Sequence, residues 1–384
     1  MFGFEIIKTD GKARAGVLRT AHGEVPTPAF MPCGTCGAVK GVTPAQLRQC
    51  GTRMVLANTY HLMLRPGADV VAEVGGVGAL MAWDGPILTD SGGYQVFSLG
   101  RLRKVTDRGV VFQSHIDGAA VELTAESCMD VQAKLGADVI MQLDECPPAT
   151  ASKEEVAAAV ARSAEWAGRC RQAWEARGRS SAAGAPQALF AIQQGGVHGD
   201  LRAESARRIV QLDLPGYAIG GLSVGEGPEQ MAGVLDAIDE QLPRERPRYL
   251  MGVGEPRDIL AGVARGVDMF DCVLPTRNGR NAQAFTWAGR LRLRNAEHAR
   301  DARPIDEGCP CYTCRNFSRA ALRHYSQAGE MLAATLVTIH NLAFFAQFMA
   351  AVGEAVEQGR LDELAGQWLT AMYGQSRPGR NPPA

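Results

Sequence analysis

The chain has 384 residues, of which 46% are hydrophobic and 21% are charged, and its formal net charge is −1. This composition is typical of a soluble globular protein with one large or two modest domains, and it excludes extensive disorder. The near-neutral charge excludes a global signature of nucleic-acid binding, so any polyanion would have to bind a local basic patch.

The amino-terminal segment predicts the cellular compartment of the protein. Charged residues, the first of them Glu5 and Lys8, interrupt this segment before any apolar stretch develops, so we expect no secretory signal and a cytoplasmic protein. In that compartment the ten cysteines indicate free thiols or metal ligands rather than disulfides.

Eight short apolar runs occur between residues 29 and 274, and nearly all of them end in polar or glycine residues. Each run is too short for a helix and too continuously apolar for a half-exposed strand, which indicates strands buried on both faces of a parallel sheet. The runs are Ala29–Cys33, Met54–Asn58, Pro86–Asp90, Val139–Asp144, Leu189–Gln193, Tyr217–Leu222, Tyr249–Val253 and Met269–Leu274.

Helix-like segments separate most of these runs, so the predicted fold is α/β, a (β/α)8 TIM barrel. The runs span the roughly 250 residues that such a barrel typically needs. A doubly wound open sheet also buries parallel strands and stays open as an alternative, although eight units are more than most open sheets use. In a barrel the carboxyl ends of the strands converge, and the residues predicted to meet there are Asp90, Asp144, Gln194, Gly221 and Asp271.

Other elements interrupt or extend this pattern. Residues Gly16–Pro28 predict a hairpin that leads into the first barrel strand. Within residues 96–124, the stretch Lys104–Phe112 alternates around an Asp-Arg-Gly turn, which predicts a β-hairpin inserted in the third βα loop. A helix is predicted over Lys153–Arg177, with Ser152 as its N-cap.

The character of the sequence changes after the last apolar run. Residues 1–294 are predicted to form the barrel domain, residues 295–373 a zinc-binding helical subdomain packed on it, and residues 374–384 a flexible tail. The most apolar long segment, Thr335–Val356, contains polar residues such as His340 that a membrane span would bury at considerable cost. We therefore expect a buried or interface helix and no membrane partner.

Three cysteines in this subdomain, Cys309, Cys311 and Cys314, lie within six residues, a spacing that lets one tight loop wrap a metal ion with thiolates. A structural zinc ion normally has four ligands, and His340 is the candidate for the fourth. We predict one structural Zn²⁺ at this site, with a redox-active thiol cluster as the alternative. Because a closed site leaves no position for a substrate, the metal would hold the terminal helices to the barrel.

A basic segment lies between Leu274 and Arg303. It contains seven arginines against Glu297 and Asp301, which leaves a local charge of +5. On charge alone, this pattern fits a solvated face as well as an RNA-binding surface.

Three aspartates, Asp90, Asp144 and Asp271, occur at the ends of apolar runs or inside one. For each aspartate alone, a strand-end cap or a loop salt bridge is the simpler interpretation. Together, with glutamine and glycine turns nearby, they indicate a functional pocket. Two carboxylates suit a retaining glycosyl transfer, in which one attacks the anomeric carbon and the other acts as acid and base. A third carboxylate with amide and backbone donors suits the edge of a purine.

Several motifs occur in order over almost the whole chain. They are Asp90-Ser-Gly-Gly-Tyr-Gln95, Leu143-Asp-Glu-Cys146, Gln194-Gly195, Gly220-Gly-Leu222, Tyr249-Leu-Met-Gly-Val-Gly254, the segment from Phe270 to Asn281, and Cys309-x-Cys311-x-x-Cys314 with His340. Together they resemble the bacterial tRNA-guanine transglycosylase (queuine tRNA-ribosyltransferase) family.

The resemblance implies a zinc-containing TIM barrel that exchanges guanine at the wobble position of tRNAs with a GUN anticodon for 7-aminomethyl-7-deazaguanine, in queuosine biosynthesis. It implies that Asp271 is the nucleophile of a covalent ribosyl intermediate and that Asp90 is the general acid/base. The residues it assigns to the base are Asp144, Gln194, Gly221, Leu222, Tyr94, Met251 and Cys146. The residues it assigns to an RNA-facing loop are Arg277, Asn278, Gly279 and Arg280.

Two features favour the bacterial type within this resemblance. Cys146 follows the Asp-Glu pair, and the sequence lacks the additional C-terminal RNA-binding module of archaeal relatives. The same type implies a homodimer. Two other functions remain open, a catalytically silent tRNA-binding subunit and a metal-dependent hydrolase on the same barrel. The three aspartates argue against the first, and the lack of a His-x-His pair at the strand ends argues against the second.

Overall fold

Strands and helices alternate along most of the chain in the computed structural model, which describes residues 2–99, 103–223 and 225–373. Numbered along the chain, the strands are β1 (Gly3–Asp10), β2 (Ala13–Thr20), β3 (Gly23–Thr27), β4 (Ala29–Pro32), β5 (Val55–Ala57), β6 (Ile87–Thr89), β7 (Arg103–Val105), β8 (Gly109–Gln113), β9 (Ala120–Thr124), β10 (Val139–Met141), β11 (Ala188–Gln193), β12 (Gly216–Ile219), β13 (Arg248–Leu250), β14 (Met269–Cys272), β15 (Gln283–Thr286) and β16 (Gly289–Arg292).

The helices lie between the strands and after them. They are α1 (Pro44–Gln49), α2 (Thr59–Leu64), α3 (Ala68–Glu73), α4 (Gly76–Met81), α5 (Gly93–Leu99), α6 (Ala125–Leu135), α7 (Lys153–Ala176), α8 (Gly199–Val210), α9 (Pro228–Leu235), α10 (Ile238–Gln241), α11 (Pro256–Val263), α12 (Leu274–Arg280), α13 (Tyr312–Asn316), α14 (Arg319–Ala328), α15 (Met331–Glu357) and α16 (Leu361–Tyr373). A short 3-10 helix covers Ala296–His298.

Eight of the strands form one parallel sheet, in the order β4-β14-β13-β12-β11-β10-β6-β5. The two end strands, β4 and β5, meet at a parallel bridge between Cys33 and Leu56. The Gly34 amide also donates to the Leu56 carbonyl at 2.6 Å. The sheet therefore closes on itself as a near-complete barrel, which confirms the (β/α)8 fold and excludes the open sheet.

Each predicted apolar run overlaps one barrel strand. Every residue of β5, β6, β10 and β11 is buried, because side chains fill the barrel on one face and helices cover the other. Met31, Phe190 and Met269 belong to the cluster inside the barrel. Residues on the outer face join the surrounding helices in a larger core.

An antiparallel sheet of β1, β2 and β3 precedes the barrel. The predicted hairpin is confirmed as β2 and β3, and β1 adds a third strand. Arg14 of β2 donates from Nε to Asp268 Oδ1 at 3.0 Å, and Asp268 Oδ2 accepts from the Arg248 amide at 2.7 Å. Arg14 and Asp268 are almost completely buried. This ion pair, which the sequence analysis did not predict, anchors the N-terminal sheet beside β14.

The predicted local elements are present, with one extension. The inserted hairpin is confirmed as β7 and β8, but β9 pairs with β8 and makes the insertion a three-stranded sheet. Ser152 is the N-cap of α7, as predicted, since its side chain accepts a hydrogen bond from the Glu155 amide. The Glu155 side chain in turn accepts a hydrogen bond from the Ser152 amide at 2.8 Å, which completes a capping box.

Helix α15 is buried along most of its length. By length and apolarity it meets the criteria for a membrane-spanning helix, but 72% of its most apolar window lies inside the protein. Asn341 donates from Nδ2 to the carbonyls of Pro275 and Gln283, both at 3.0 Å, and its Oδ1 accepts from the Phe285 amide at 3.0 Å. These bonds explain why a polar residue is buried in this helix, and they confirm the predicted buried helix.

Helix α15 packs against β4 and α12 as well as against α13 and α14, so it joins the C-terminal elements to the barrel. Whether the chain divides into domains near residue 294 stays a prediction. The predicted tail, residues 374–384, lies outside the described residues.

Candidate active site

The carboxyl ends of the barrel strands surround a cavity of about 480 Å³. This is the end of the barrel at which functional residues of this fold are found. All five residues predicted to converge line this cavity, namely Asp90, Asp144, Gln194, Gly221 and Asp271. The other residues that the resemblance assigned to the base line it too, namely Tyr94, Cys146, Leu222 and Met251.

Asp90 follows β6 and lies buried among three donors. Asn58 Nδ2 donates to Oδ2 at 2.5 Å, Gln95 Nε2 donates to the same oxygen at 2.9 Å, and the Thr59 amide donates to Oδ1 at 2.8 Å. Burial raises the pKa of Asp90 to about 6, although the three donors oppose the shift. A carboxyl that titrates near neutral pH is suited to give and take a proton.

Asp271 of β14 has unequal surroundings at its two oxygens. Oδ1 accepts hydrogen bonds from the Tyr249 hydroxyl at 2.6 Å and from the Gly252 amide at 2.7 Å. The described contact at Oδ2 is the Cys33 thiol, a weak donor 3.4 Å away. Burial raises the pKa of Asp271, and these donors oppose the shift. Oδ2 therefore keeps the more available lone pairs.

Asp144 lies beyond β10 and is paired on both oxygens. The Ser91 hydroxyl donates to Oδ1 at 2.7 Å, and Gln194 Nε2 donates to Oδ2 at 2.6 Å. Burial raises the pKa of Asp144, and both donors oppose the shift. The backbone of the Ser-Gly-Gly motif packs closely against Asp144. A Cβ at Gly93 would lie 2.4 Å from the Asp144 carbonyl oxygen, so this position has no room for a side chain.

Gly221 turns the chain after β12 with a φ of +64°, a conformation that favours glycine. A side chain would also clash, since a Cβ at Gly221 would lie 2.4 Å from Gln194 Oε1. Leu222 and Cys146 line the cavity near this turn. Burial raises the pKa of Cys146 to about 12, so its thiol stays neutral.

The predicted RNA-facing residues lie on α12, a helix and not a loop. Arg277 and Arg280 are exposed, and Arg277 also lines the cavity. Asn278 and Gly279 are buried on the other face of the helix. A Cβ at Gly279 would lie 2.4 Å from Thr338 Oγ1, so the glycine allows α12 to pack closely on α15.

Most of the residues that hold the aspartates in place were not predicted from the sequence. Asn58 ends one apolar run and Tyr249 begins another. The one signal for their role was that each lies on a predicted strand next to a predicted strand that carries Asp90 or Asp271. Arg202 of α8 is almost fully buried, although its local sequence resembles a charged surface helix. Glu145, which follows Asp144, pairs with Arg162 of α7 and does not line the cavity.

A second cluster joins Cys309, Cys311, Cys314 and His340, whose ligand atoms lie within 4.8 Å of one another. His340 Nδ1 lies 3.2 Å from Cys314 Sγ, and Nε2 lies 2.7 Å from the Phe285 carbonyl. The carbonyl thus orients the ring so that Nδ1 faces the thiols, as the supporting groups of metal sites do. All ten cysteines are free. The four donors fit a structural metal ion, and none of them lines the cavity.

Comparison with known proteins agrees with this geometry. The family described as queuine tRNA-ribosyltransferase matches residues 9–374. A queuine tRNA-ribosyltransferase of Novosphingobium aromaticivorans is 52% identical over 364 residues, which cover 95% of this chain and 96% of that protein. The proteins of the same name from Sphingopyxis alaskensis and Pelotomaculum thermopropionicum are 53% and 52% identical; each match covers 94% of this chain, and they cover 95% and 96% of those proteins. The predicted resemblance is confirmed, and the chain belongs to the queuine tRNA-ribosyltransferase family of transferases.

Proposed function

We propose that this protein exchanges guanine at the wobble position of tRNAs with a GUN anticodon for 7-aminomethyl-7-deazaguanine, a step in queuosine biosynthesis. Membership of the family supports guanine exchange on tRNA. The observation that carries the proposal is the meeting of Asp90, Asp144 and Asp271 in one cavity, each with different hydrogen-bond partners. These differences fit three separate roles.

Asp271 is the nucleophile in this proposal. Its Oδ2 attacks C1′ of the target ribose, the C1′–N9 bond breaks, and the electron pair of that bond leaves with guanine. The Tyr249 and Gly252 donors occupy Oδ1, which leaves Oδ2 as the attacking oxygen. The product is a covalent ribosyl-aspartate. N9 of the incoming base then attacks C1′ and releases the Asp271 carboxylate, as in other two-step retaining transfers.

Asp90 moves the protons. It gives a proton to the departing guanine and takes one from N9 of the incoming base, so the enzyme ends each cycle in its starting state. A pKa of about 6 places both forms of Asp90 within reach at neutral pH. Asn58, Thr59 and Gln95 fix the carboxyl for both transfers.

The other cavity residues recognise the base. Asp144 is suited to accept from the N–H groups of a purine, because each of its oxygens has a second lone-pair site beside the bonds to Ser91 and Gln194. Tyr94, 52% exposed, offers an open ring for stacking. We assign the remaining base contacts to Gln194, Gly221, Leu222, Met251 and Cys146.

The tRNA would contact the basic segment. Its seven arginines, among them Arg277 and Arg280, are all exposed, although Arg290 pairs with Glu255 and Arg303 with Asp301. We propose that Asn278 and Gly279 serve this surface by fixing α12, the helix that carries the two arginines.

We propose that the Cys₃His cluster holds one Zn²⁺, since three thiolates and an imidazole are a donor set that zinc prefers in closed structural sites. The ion would stabilise the C-terminal elements and take no part in the exchange. The division into domains at 1–294 and 295–373, the homodimer, the absence of a membrane partner and the cytoplasmic location are proposals that rest on the sequence and the family.

The test is guanine exchange by the purified chain. The protein is incubated with an unmodified transcript of a tRNA that has a GUN anticodon and with radiolabelled guanine, and the label retained in the RNA is measured beside Asp271→Asn. We expect label with the wild type only. RNA binding without any label would favour the silent subunit, and a covalent RNA adduct with Asp271→Asn would refute the assignment of the nucleophile.

A further inference from the structure

Arg202 is a buried cation that the mechanism above does not use. It lies on α8 and is 1% exposed. Burial lowers its pKa to about 10, so the guanidinium remains charged at neutral pH. None of the ion pairs found among the described residues includes Arg202, although the charge of Glu226 is near enough to raise its pKa. A buried charge without a direct ion-pair partner is costly unless other groups satisfy it.

Three main-chain carbonyls satisfy it. Nε donates to the Gly196 carbonyl at 2.8 Å, Nη1 to the Gln193 carbonyl at 3.0 Å and Nη2 to the Gly221 carbonyl at 3.4 Å. The Gln193 carbonyl ends β11, the Gly196 carbonyl lies in the turn after it, and the Gly221 carbonyl lies in the turn after β12. One planar fork therefore joins two neighbouring turns at the carboxyl end of the barrel, which an ammonium group could not do with the same geometry.

These two turns carry residues of the base pocket. Gln194 and Gly221 line the cavity, whereas Arg202 does not, so the guanidinium lies behind the turns. The carbonyl of Gly221 and the amide of Leu222 belong to one planar trans peptide and point in opposite directions. Because the carbonyl is held toward Arg202, the Leu222 amide is directed away from Arg202.

We propose that Arg202 is a positioning residue for the exchanged base. Its guanidinium fixes the Gly221 peptide so that the Leu222 amide is presented to the base, and its positive charge lies behind a pocket that receives the electron pair of the broken C1′–N9 bond. This inference rests on the proposed function. It predicts that Arg202, a helix residue outside the cavity, contributes to the affinity for the base and not to the affinity for the RNA.

The experiment compares Arg202→Lys, which keeps the charge and loses the fork, with the wild type and with Arg208→Lys. Arg208 lies on the same helix, where it pairs with Glu204 on the surface, and serves as the matched control. The KM values for guanine and for the tRNA transcript are measured, with thermal unfolding alongside. We expect the KM for guanine to rise about tenfold in Arg202→Lys and the KM for tRNA to change by less than about twofold. Arg208→Lys should match the wild type in both.

Equal changes in the two KM values, or a lower kcat with both KM values unchanged, would assign Arg202 to stability alone and overturn the inference. If Arg202→Lys does not fold, the comparison is repeated with Arg202→Gln, whose amide keeps two donors. Failure of both variants to fold would also overturn it. Calorimetric binding of guanine without RNA separates this inference from the proposed function. A wild type that binds guanine more tightly than Arg202→Lys but exchanges none would refute the function and support the role of Arg202.

Discussion

Tyr249→Phe tests the unequal surroundings of the proposed nucleophile. The substitution removes the 2.6 Å hydrogen bond from the Tyr249 hydroxyl to Asp271 Oδ1 and leaves the bond from the Gly252 amide. Burial raises the pKa of Tyr249 well above its ordinary value, so the hydroxyl is a permanent donor in the wild type. The phenyl ring keeps the packing of β13.

The size of the effect follows from the bond that is lost. A hydrogen bond to a charged group contributes about 1.5–3 kcal/mol, and 1.36 kcal/mol corresponds to one pKa unit, so the pKa of Asp271 should rise by about one to two units. The sign is upward because the Tyr249 donor favours the ionised carboxylate. The reaction needs that ionised form, so the acid limb of the pH profile moves to higher pH.

The assay is guanine exchange as a function of pH, with kcat/KM for tRNA reporting groups of the free enzyme. Tyr217→Phe is the control, because Tyr217 is a buried tyrosine of β12 that does not line the cavity. We expect an upward shift with Tyr249→Phe and none with Tyr217→Phe. An unchanged acid limb with Tyr249→Phe, or a uniform loss of rate at all pH values, would refute the reasoning about Asp271.

Three further predictions concern other contacts. Cys33→Val removes the weak thiol donor from Asp271 Oδ2, so the same acid limb should move upward by only a few tenths of a pH unit, measured in the same exchange assay. Asp268→Ala leaves the Arg14 guanidinium buried without its partner and should lower the free energy of unfolding by about 3–5 kcal/mol, measured by urea denaturation. Cys314→Ser removes one donor of the metal cluster and should lower both the bound metal, measured by elemental analysis, and the thermal unfolding temperature.

Each of these has a control or an opposing result. Cys36→Val changes an exposed thiol and should leave the pH profile unchanged. Arg19→Met, on the same strand as Arg14 but exposed, should not change the urea midpoint measurably, and an equal loss would contradict the importance of burial. If Cys314→Ser lost exchange while its folding stayed intact, the metal would belong to the chemistry and not to the structure.

The barrel was predictable from the sequence because parallel strands buried on both faces leave continuous apolar runs that end at polar residues. The same pattern placed Asp90, Asp144 and Asp271 at one end, since all barrel strands run in the same direction. Strand β9 was not predicted, because it is short and its first and third residues, Ala120 and Glu122, are exposed, so it leaves no continuous apolar run.

The partners of the aspartates were harder to predict for a physical reason. Asp271 is held by a hydroxyl from the neighbouring strand and by a main-chain amide, and a sequence pattern does not show which backbone groups will point at a carboxylate. Arg202 gave a misleading signal, because charged residues on a short helix indicate a solvated face. The burial of Asn278 and Gly279 depends on α15, about sixty residues later in the chain. The local sequence around α12 therefore could not predict that burial.

The strand β14 connects the buried Arg14–Asp268 ion pair to the proposed nucleophile. Asp268, immediately before the strand, is held by Arg14 at one end of the barrel, and Asp271 is presented to the cavity at the other. Only Met269 and Phe270 separate the anchor from the proposed nucleophile, and so short a stretch of strand has little freedom to absorb a displacement. Substitutions at Arg14 or Asp268 are therefore constrained by the position of the nucleophile as well as by the stability of the fold. In directed evolution of this enzyme, substitutions at Arg14 should be accepted only with compensating changes around β14.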